Sequence, residues 1–130
     1  MLRRKRMFLV LISIVFIGGG FMMVIHNKSR SLEIKPFDIN DYQYYIDNCP
    51  SSINLGSIYD AEDAMAKAET IWIELYGKRI KQERPYQVFY DEKEKVWLIH
   101  GSLRANMVGG VANILIENDT GKVLAIWHEK

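Results

Sequence analysis

The first 25 residues join a cationic start to a long apolar stretch, and no other feature constrains the fold as strongly. Residues 7–25, MFLVLISIVFIGGGFMMVI, carry no charge, and four cations precede them: Arg3, Arg4, Lys5 and Arg6. As a helix rising about 1.5 Å per residue, this stretch would extend roughly 28 Å, close to the hydrocarbon thickness of a bilayer. The sequence therefore predicts a basic cytoplasmic tail over residues 1–6 and a transmembrane anchor over residues 7–25.

A cleavable signal peptide is the alternative interpretation of the same stretch. Gly18 and Gly20 are small enough to precede a cut before Phe21, although the apolar run continues beyond that point. In both interpretations the excess of cations at the N-terminus keeps that end in the cytoplasm. We therefore expect a single-pass protein of the inner membrane, with everything after residue 26 on the periplasmic or extracytoplasmic side.

The charge of the remaining chain bears on its partners. Residues 31–74 hold nine carboxylates against Lys35 and Lys67, whereas residues 75–130 have a net charge of +2. An acidic domain is a poor ligand for nucleic acid, whereas a protein with a basic surface is a suitable partner. No small-molecule ligand is expected. The single cysteine, Cys49, cannot form a disulfide within the chain, and it either pairs between chains or packs as a small side chain.

The polar segment over residues 26–51 is predicted to be a tether that contains one short helix. The helix is expected at about residues 41–48, because Tyr42, Tyr45 and Ile46 have helical spacing and Pro50 stops any helix. Tyrosine offers a large contact area at low entropic cost, so Tyr42 and Tyr45 are candidate partner contacts. Alternatively, they pack one aromatic face on the domain.

An α+β domain is predicted over residues 52–130. Asp60 can cap a helix that ends at Gly77, and its apolar residues form one stripe: Ala61, Ala64, Met65, Ala68, Ile71, Trp72 and Leu75. Two hairpins follow, the second closed by NDTG with Gly121 in the left-handed position. The expected fold is this helix packed on a curved antiparallel four-stranded sheet. The second sheet face is expected to be covered in part by the tyrosine-rich segment, which is the predicted short helix at about residues 41–48, or by a partner.

The chain lacks the usual sequence signals of catalysis and of metal or phosphate binding. Gly109 and Gly110 precede a strand rather than a helix, and no Lys-Ser/Thr pair follows them, so they predict a bend rather than a phosphate loop. His100 and His128 have no further ligands at metal-binding spacing. We expect no catalytic residue, cofactor or metal. The one enzymatic alternative pairs Glu69 with His100 as acid and base in a cone-shaped pocket.

Five patterns in order carry a resemblance to a known family. They lie on the predicted helix, on the segment after it and on three of the four strands: Ala64, Ala68, Glu69 and Ile71; Tyr76, Gly77, Ile80, Glu83 and Pro85; Trp97, Ile99, Gly101 and Leu103; Gly109, Gly110, Val111, Ile114 and Ile116; residues 121–124, His128 and Lys130. This set resembles bacterial immunity proteins with a nuclear transport factor 2-like fold, which are encoded beside polymorphic toxins, including those of rearrangement hotspot loci.

The resemblance implies a non-enzymatic protein that binds and blocks a cognate toxin. The chain is shorter than a full domain of that fold, so a reduced version close to a cystatin-like layer is expected. No family motif identifies the toxin contacts. Arg104, Asn106 and Met107 mix polar and apolar groups in the loop between the second and third strands, and with Tyr42 and Tyr45 they are the predicted contacts. A small envelope binding module of unknown ligand is the alternative function.

Overall fold

The structure is a computed structural model that describes residues 11–15, 22–26 and 32–130. The chain divides into two units between Leu32 and Glu33. The first contains two strands, β1 (Leu11–Val15) and β2 (Met22–His26), which pair antiparallel with Leu11 opposite His26.

The prediction of a helix over residues 7–25 is therefore wrong at these positions. Both strands are rich in β-branched side chains, such as Ile12 and Val24, which favour extended backbone. The sequence between them contains three consecutive glycines, each of which disfavours a helix by up to about 1 kcal/mol relative to alanine. Within the residues that the structure describes, no helix combines the length and the apolar character needed to cross a membrane.

The second unit, Glu33–Lys130, contains two α-helices, two 3₁₀ segments and five strands. In chain order these are β3 (Ile34–Pro36), the 3₁₀ segment Ile39–Tyr42, α1 (Gln43–Asn48), α2 (Ala61–Tyr76), the 3₁₀ segment Lys78–Glu83, β4 (Gln87–Asp91), β5 (Val96–His100), β6 (Ala112–Glu117) and β7 (Val123–His128).

The sheet has the order β3-β4-β5-β6-β7 and is mixed. The α+β class and the four-strand meander β4–β7 are confirmed, but the prediction of four antiparallel strands missed β3, which runs parallel to β4. A three-residue strand that ends in Pro36 is too short to show the alternation that reveals a strand in sequence. A register shift between Leu115 and Ile116 marks a β-bulge, which bends a sheet locally.

Helix α2 covers one face of the sheet, over β5 and β6. Its first turn is capped as predicted, because the Asp60 carboxylate accepts a hydrogen bond from the Asp63 backbone N–H at 2.8 Å. Ala64, Ala68 and Trp72 are fully buried, but Leu75 is 53% exposed and does not belong to the buried stripe. Facing rows on the strands complete this core layer, one of which is Val88, Ile99 and Ile114.

The tyrosine-rich segment covers the other face. Its apolar side chains pack on a cluster of Val96, Leu98, Leu115, Ala125 and Trp127. Tyr45 stacks on Trp127 with ring centroids 4.0 Å apart and planes 9° from parallel, a contact worth about 0.5–1.5 kcal/mol beyond its buried area. The expectation that this segment buries the second face is confirmed.

Candidate functional site

The loop between β5 and β6, residues 101–111, presents apolar side chains to solvent. Leu103 is 46% exposed, Met107 37% and Val108 99%. Arg104 and Asn106, predicted as contacts together with Met107, are exposed in the same loop, where the Met107 N–H donates to the Arg104 carbonyl at 2.9 Å. Grouped exposed apolar side chains of this kind mark interaction surfaces in soluble domains.

A cleft of about 300 Å³ lies beside this loop. Its walls come from the end of α2, the 3₁₀ segment Lys78–Glu83, the loop and the end of β7, and they are formed by Tyr76, Arg79, Ile80, Gln82, Glu83, Met107, Gly110 and His128. These residues come from three separate segments, 76–83, 107–110 and 128, and only the folded domain brings the three segments together.

Glu83 ties three of these walls to one another. One carboxylate oxygen accepts the Ala112 N–H at 2.7 Å, and the other lies 3.2 Å from His128 Nε2. Its backbone carbonyl accepts the Ser102 N–H at 2.7 Å. Both ends of the loop are therefore anchored to one residue, while its middle remains exposed.

The glycine pair has a structural role in this loop. Gly110 passes so close to Glu129 that a Cβ at position 110 would collide with the Glu129 backbone. Gly109 has a φ of +120°, which side-chain-bearing residues rarely adopt. The prediction of a bend before a strand is confirmed, because β6 begins at Ala112.

Tyr76 and Arg79 also line the cleft, and both are more exposed than Glu83. The Tyr76 ring is 38% exposed and meets the His128 ring edge-on at 5.3 Å. Partial burial raises the pKa of Tyr76, and the nearby Cys49 and Glu83 raise it further. Arg79 is exposed and makes no ion pair within the part of the chain that the structure describes.

The other two predicted contacts, Tyr42 and Tyr45, lie elsewhere. Both pack against Trp127, the neighbour of His128 on β7, and successive side chains of a strand point to opposite faces. They are thus across the sheet from the cleft, and they are not brought together with Arg104, Asn106 and Met107. Tyr44, which sequence reasoning missed, is the exposed tyrosine of α1, at 68%.

Glu69 and His100 do not converge, so the geometry required by the enzymatic alternative is absent. Arg84 binds the Glu69 carboxylate through Nε at 2.7 Å and through Nη2, and the Tyr86 hydroxyl donates to it at 2.6 Å. These hydrogen bonds, led by that of Arg84, lower the pKa of Glu69 despite its partial burial.

His100 belongs to the opposite side of the sheet. Its ring stacks on Phe89 at 5.2 Å, and Phe89 packs on the cluster beneath the tyrosine-rich segment. Over residues 32–130 and the two N-terminal strands, no group of three or more His, Cys, Asp or Glu side chains is arranged to hold a metal. Cys49 is a free, half-buried thiol beside the same cluster.

Sequence reasoning also missed the contact between Glu83 and His128, which are 45 positions apart. No local pattern reveals such a pair. Leu103 and Val108 could have been found, because with Met107 they place three large apolar side chains within six residues of a glycine-rich loop.

Comparison with known proteins agrees with this architecture. A family model described as "NTF2 fold immunity protein" (NTF2 is nuclear transport factor 2) matches residues 63–130, which include most of α2, the strands β4–β7 and the whole cleft. No curated protein and no solved structure matches the chain. The match confirms the resemblance seen in sequence and covers more than half of the 130 residues. The chain belongs to the family of immunity proteins with the NTF2 fold.

Proposed function

We propose that this chain neutralises a cognate protein toxin by binding it with the surface formed by the β5–β6 loop and the adjoining cleft. The observation that carries this proposal is the concentration of exposed apolar side chains there. Leu103, Met107 and Val108 lie on the loop, and Leu75 and Tyr76 lie at the end of α2, where Tyr76 and Met107 line one cleft. Membership of the immunity family supports a toxin-neutralising role in general.

The two ends of the β5–β6 loop are held by backbone hydrogen bonds, which suits a binding loop. Gly101 N–H donates to Ala112 at 3.0 Å and Ser102 N–H donates to Glu83 at 2.7 Å, so the loop begins and ends on paired backbone. A loop whose two ends are held has fewer conformations to lose when a partner docks than a free segment of the same length. Burying the loop's apolar side chains would contribute roughly 25 cal/mol per Å² removed from water.

The acidic part of the domain supports a toxin with a basic surface. Glu33, Asp41 and Asp47 are exposed, and none of them makes an ion pair among the residues that the structure describes. Opposite charge on the two proteins accelerates their encounter and disfavours wrong partners. In this proposal the acidic side guides the approach, and the loop and cleft provide the close contact.

The proposed mode of action is occlusion without catalysis. The toxin would be blocked because a folded domain covers its active surface, and no side chain of this chain is assigned a catalytic role. The proposed location is outside the cytoplasm. Its support is the sequence of residues 1–25, where a cationic start precedes a charge-free stretch. A reporter fused after Lys130 that is active only in the cytosol would contradict this location.

Co-expression with the toxin encoded by the neighbouring gene tests the proposed function. We expect the wild-type chain to restore survival and to bind the purified toxin. The double variant Leu103→Ser/Val108→Ser should fold normally and lose protection, because exposed side chains contribute within about 0.5 kcal/mol to stability. Ile34→Ser, which alters an exposed apolar residue on β3, is the matched control and should still protect. Killing that the wild-type chain does not reduce would reject the proposal.

A further inference from the structure

We propose that the cleft beside the β5–β6 loop receives one protruding apolar side chain of the toxin, and that a carboxylate next to it on the toxin pairs with Arg79. This inference rests on the proposed function, and it names the chemistry of the contact. It is argued from the size of the cleft, from its apolar walls and from its charges.

The cleft is large enough to receive one side chain of a partner. Its volume of about 300 Å³ is at the lower limit of the roughly 300–1,000 Å³ typical of small-molecule pockets. Anchor residues of protein interfaces occupy pockets that become surrounded by contacts that exclude water once the partner has bound. One aromatic or long aliphatic side chain is the occupant that fits this description.

The walls offer apolar contact with one adaptable element. Ile80 is buried at the base, with 2% of its surface exposed, and Tyr76 presents a ring that its contact with His128 orients. Met107 stands on the loop side. A methionine side chain is unbranched and polarisable, so it can adjust to the shape of the group that enters.

Of the charged side chains that line the cleft, Glu83 and His128 interact with each other, whereas Arg79 has no ion pair in the described part of the chain. Glu83 uses both carboxylate oxygens, on the Ala112 N–H and on His128. His128 also has its second ring nitrogen, Nδ1, 2.7 Å from the Glu129 carbonyl oxygen. Among the charged side chains that line the cleft, Arg79 alone has no ion pair in the described part of the chain.

Charge complementarity therefore points to a carboxylate on the occupant. A guanidinium presents five N–H donors in a plane, which matches the two oxygens of a carboxylate. A toxin that is basic overall can still carry one carboxylate beside its anchor residue, because net charge does not fix the charge at one position. The apolar anchor supplies affinity, and the carboxylate determines its orientation.

Binding of the purified toxin to Arg79 variants tests this inference. Removing one partner of a desolvated charge pair should weaken binding roughly 30-fold or more for Arg79→Gln, and Arg79→Glu should be weaker still. Arg79→Lys should be intermediate, because a lysine retains the charge but not the two parallel donors. Lys122→Gln, which removes an exposed cation from the β6–β7 turn, is the matched control and should stay within about twofold of wild type.

The outcomes separate this inference from the proposed function. If the wild-type chain binds the toxin and Arg79→Gln binds as well as Lys122→Gln does, the inference is overturned and the proposed function stands. If the wild-type chain does not bind the toxin, the proposed function fails, and the inference fails with it. If the free protein forms dimers that Arg79→Gln dissociates, the cleft holds a second copy of this chain, and the inference is overturned.

Discussion

The two ends of the sheet differ in how the connection between neighbouring strands is held. At one end, here called the sealed end, the β6–β7 turn is hydrogen-bonded to the segment that precedes α2. Ile58 N–H donates to the Asn118 carbonyl at 2.8 Å, Leu55 N–H donates to that of Gly121 at 2.9 Å, and the indole of Trp97 donates to the Asn118 side chain. At the other end the β5–β6 loop is anchored only at its base, and Leu103, Met107 and Val108 remain exposed.

Under the proposed function, the difference separates an end that stabilises the domain from an end that binds the toxin. The segment over residues 49–55 extends the sealing along β7, because Ile126 N–H donates to Cys49 and Val123 N–H donates to Ile53. An edge strand covered in this way is protected from pairing with other chains. Substitutions at the sealed end should therefore reduce stability, whereas substitutions at the open end should change binding with smaller effects on folding.

Gly121→Ala is the largest expected effect. Gly121 has a φ of +72°, and a Cβ at this position would collide with the Gly56 carbonyl, so the free energy of unfolding should fall by about 2–4 kcal/mol. Gly77→Ala, between the cleft residues Tyr76 and Arg79, is the matched control at the open end, because its φ of +85° is similar but no atom lies within 4 Å of the added Cβ. Urea unfolding measures both, and equal losses would contradict the contrast between the two ends.

Asp91→Asn should have the next largest effect, and it should depend on pH. The buried Asp91 carboxylate accepts the Ile39 N–H at 2.9 Å and the Glu94 N–H at 3.0 Å, which lowers its pKa below the ordinary value. A lowered pKa in the folded state means stability that is present above the unfolded-state pKa of about 4 and is lost as the pH falls through the folded-state value.

At neutral pH we expect Asp91→Asn to lower the free energy of unfolding by about 1–3 kcal/mol. The gap between wild type and variant should narrow as the pH falls below about 4, because the wild-type carboxyl then becomes neutral as well. Unfolding measured from pH 7 down to pH 2 tests this expectation. A gap that stays constant over the whole range would show that ionisation of Asp91 is not the cause.

Glu83→Ala should have the smallest effect on stability, about 1–2 kcal/mol, and the effect should be local to the open end. The variant leaves the Ala112 N–H without its acceptor and removes the contact with His128. Hydrogen exchange should accelerate at Ala112, while the amides of Leu55 and Ile58 at the sealed end keep their protection. Glu83→Gln keeps an acceptor for Ala112 and serves as the control. Faster exchange at both ends would argue against two independent regions.

Local signals predicted much of the fold. The Asp60 cap, the apolar spacing of α2 and the turn at Gly121 each depend on residues close in sequence, and each was confirmed, except that Leu75 lies outside the buried stripe. Local patterns also misled where they allowed two answers. The charge-free stretch over residues 7–25 suits a helix by its length, yet its β-branched residues form the strands β1 and β2.

The candidate site was only partly accessible to the same reasoning. The loop with Arg104, Asn106 and Met107 was identified from its mixture of polar and apolar residues, and whether it contacts a toxin stays a prediction. From the sequence, Tyr42 and Tyr45 were predicted as contacts in preference to Tyr44. All three fit a short helix, and only the position of Trp127 turns two of them inward.

The sequence by itself determined the helix, the strand meander and the family, because these follow from spacing, capping and turn chemistry that short segments carry within themselves. The tertiary structure alone decided the parallel strand β3, the separation of Glu69 from His100 and the cleft that joins Tyr76, Glu83 and His128. The physical reason is that those features depend on which face of the sheet each side chain occupies. That face is set by long-range strand pairing, which the sequence of a short segment does not specify.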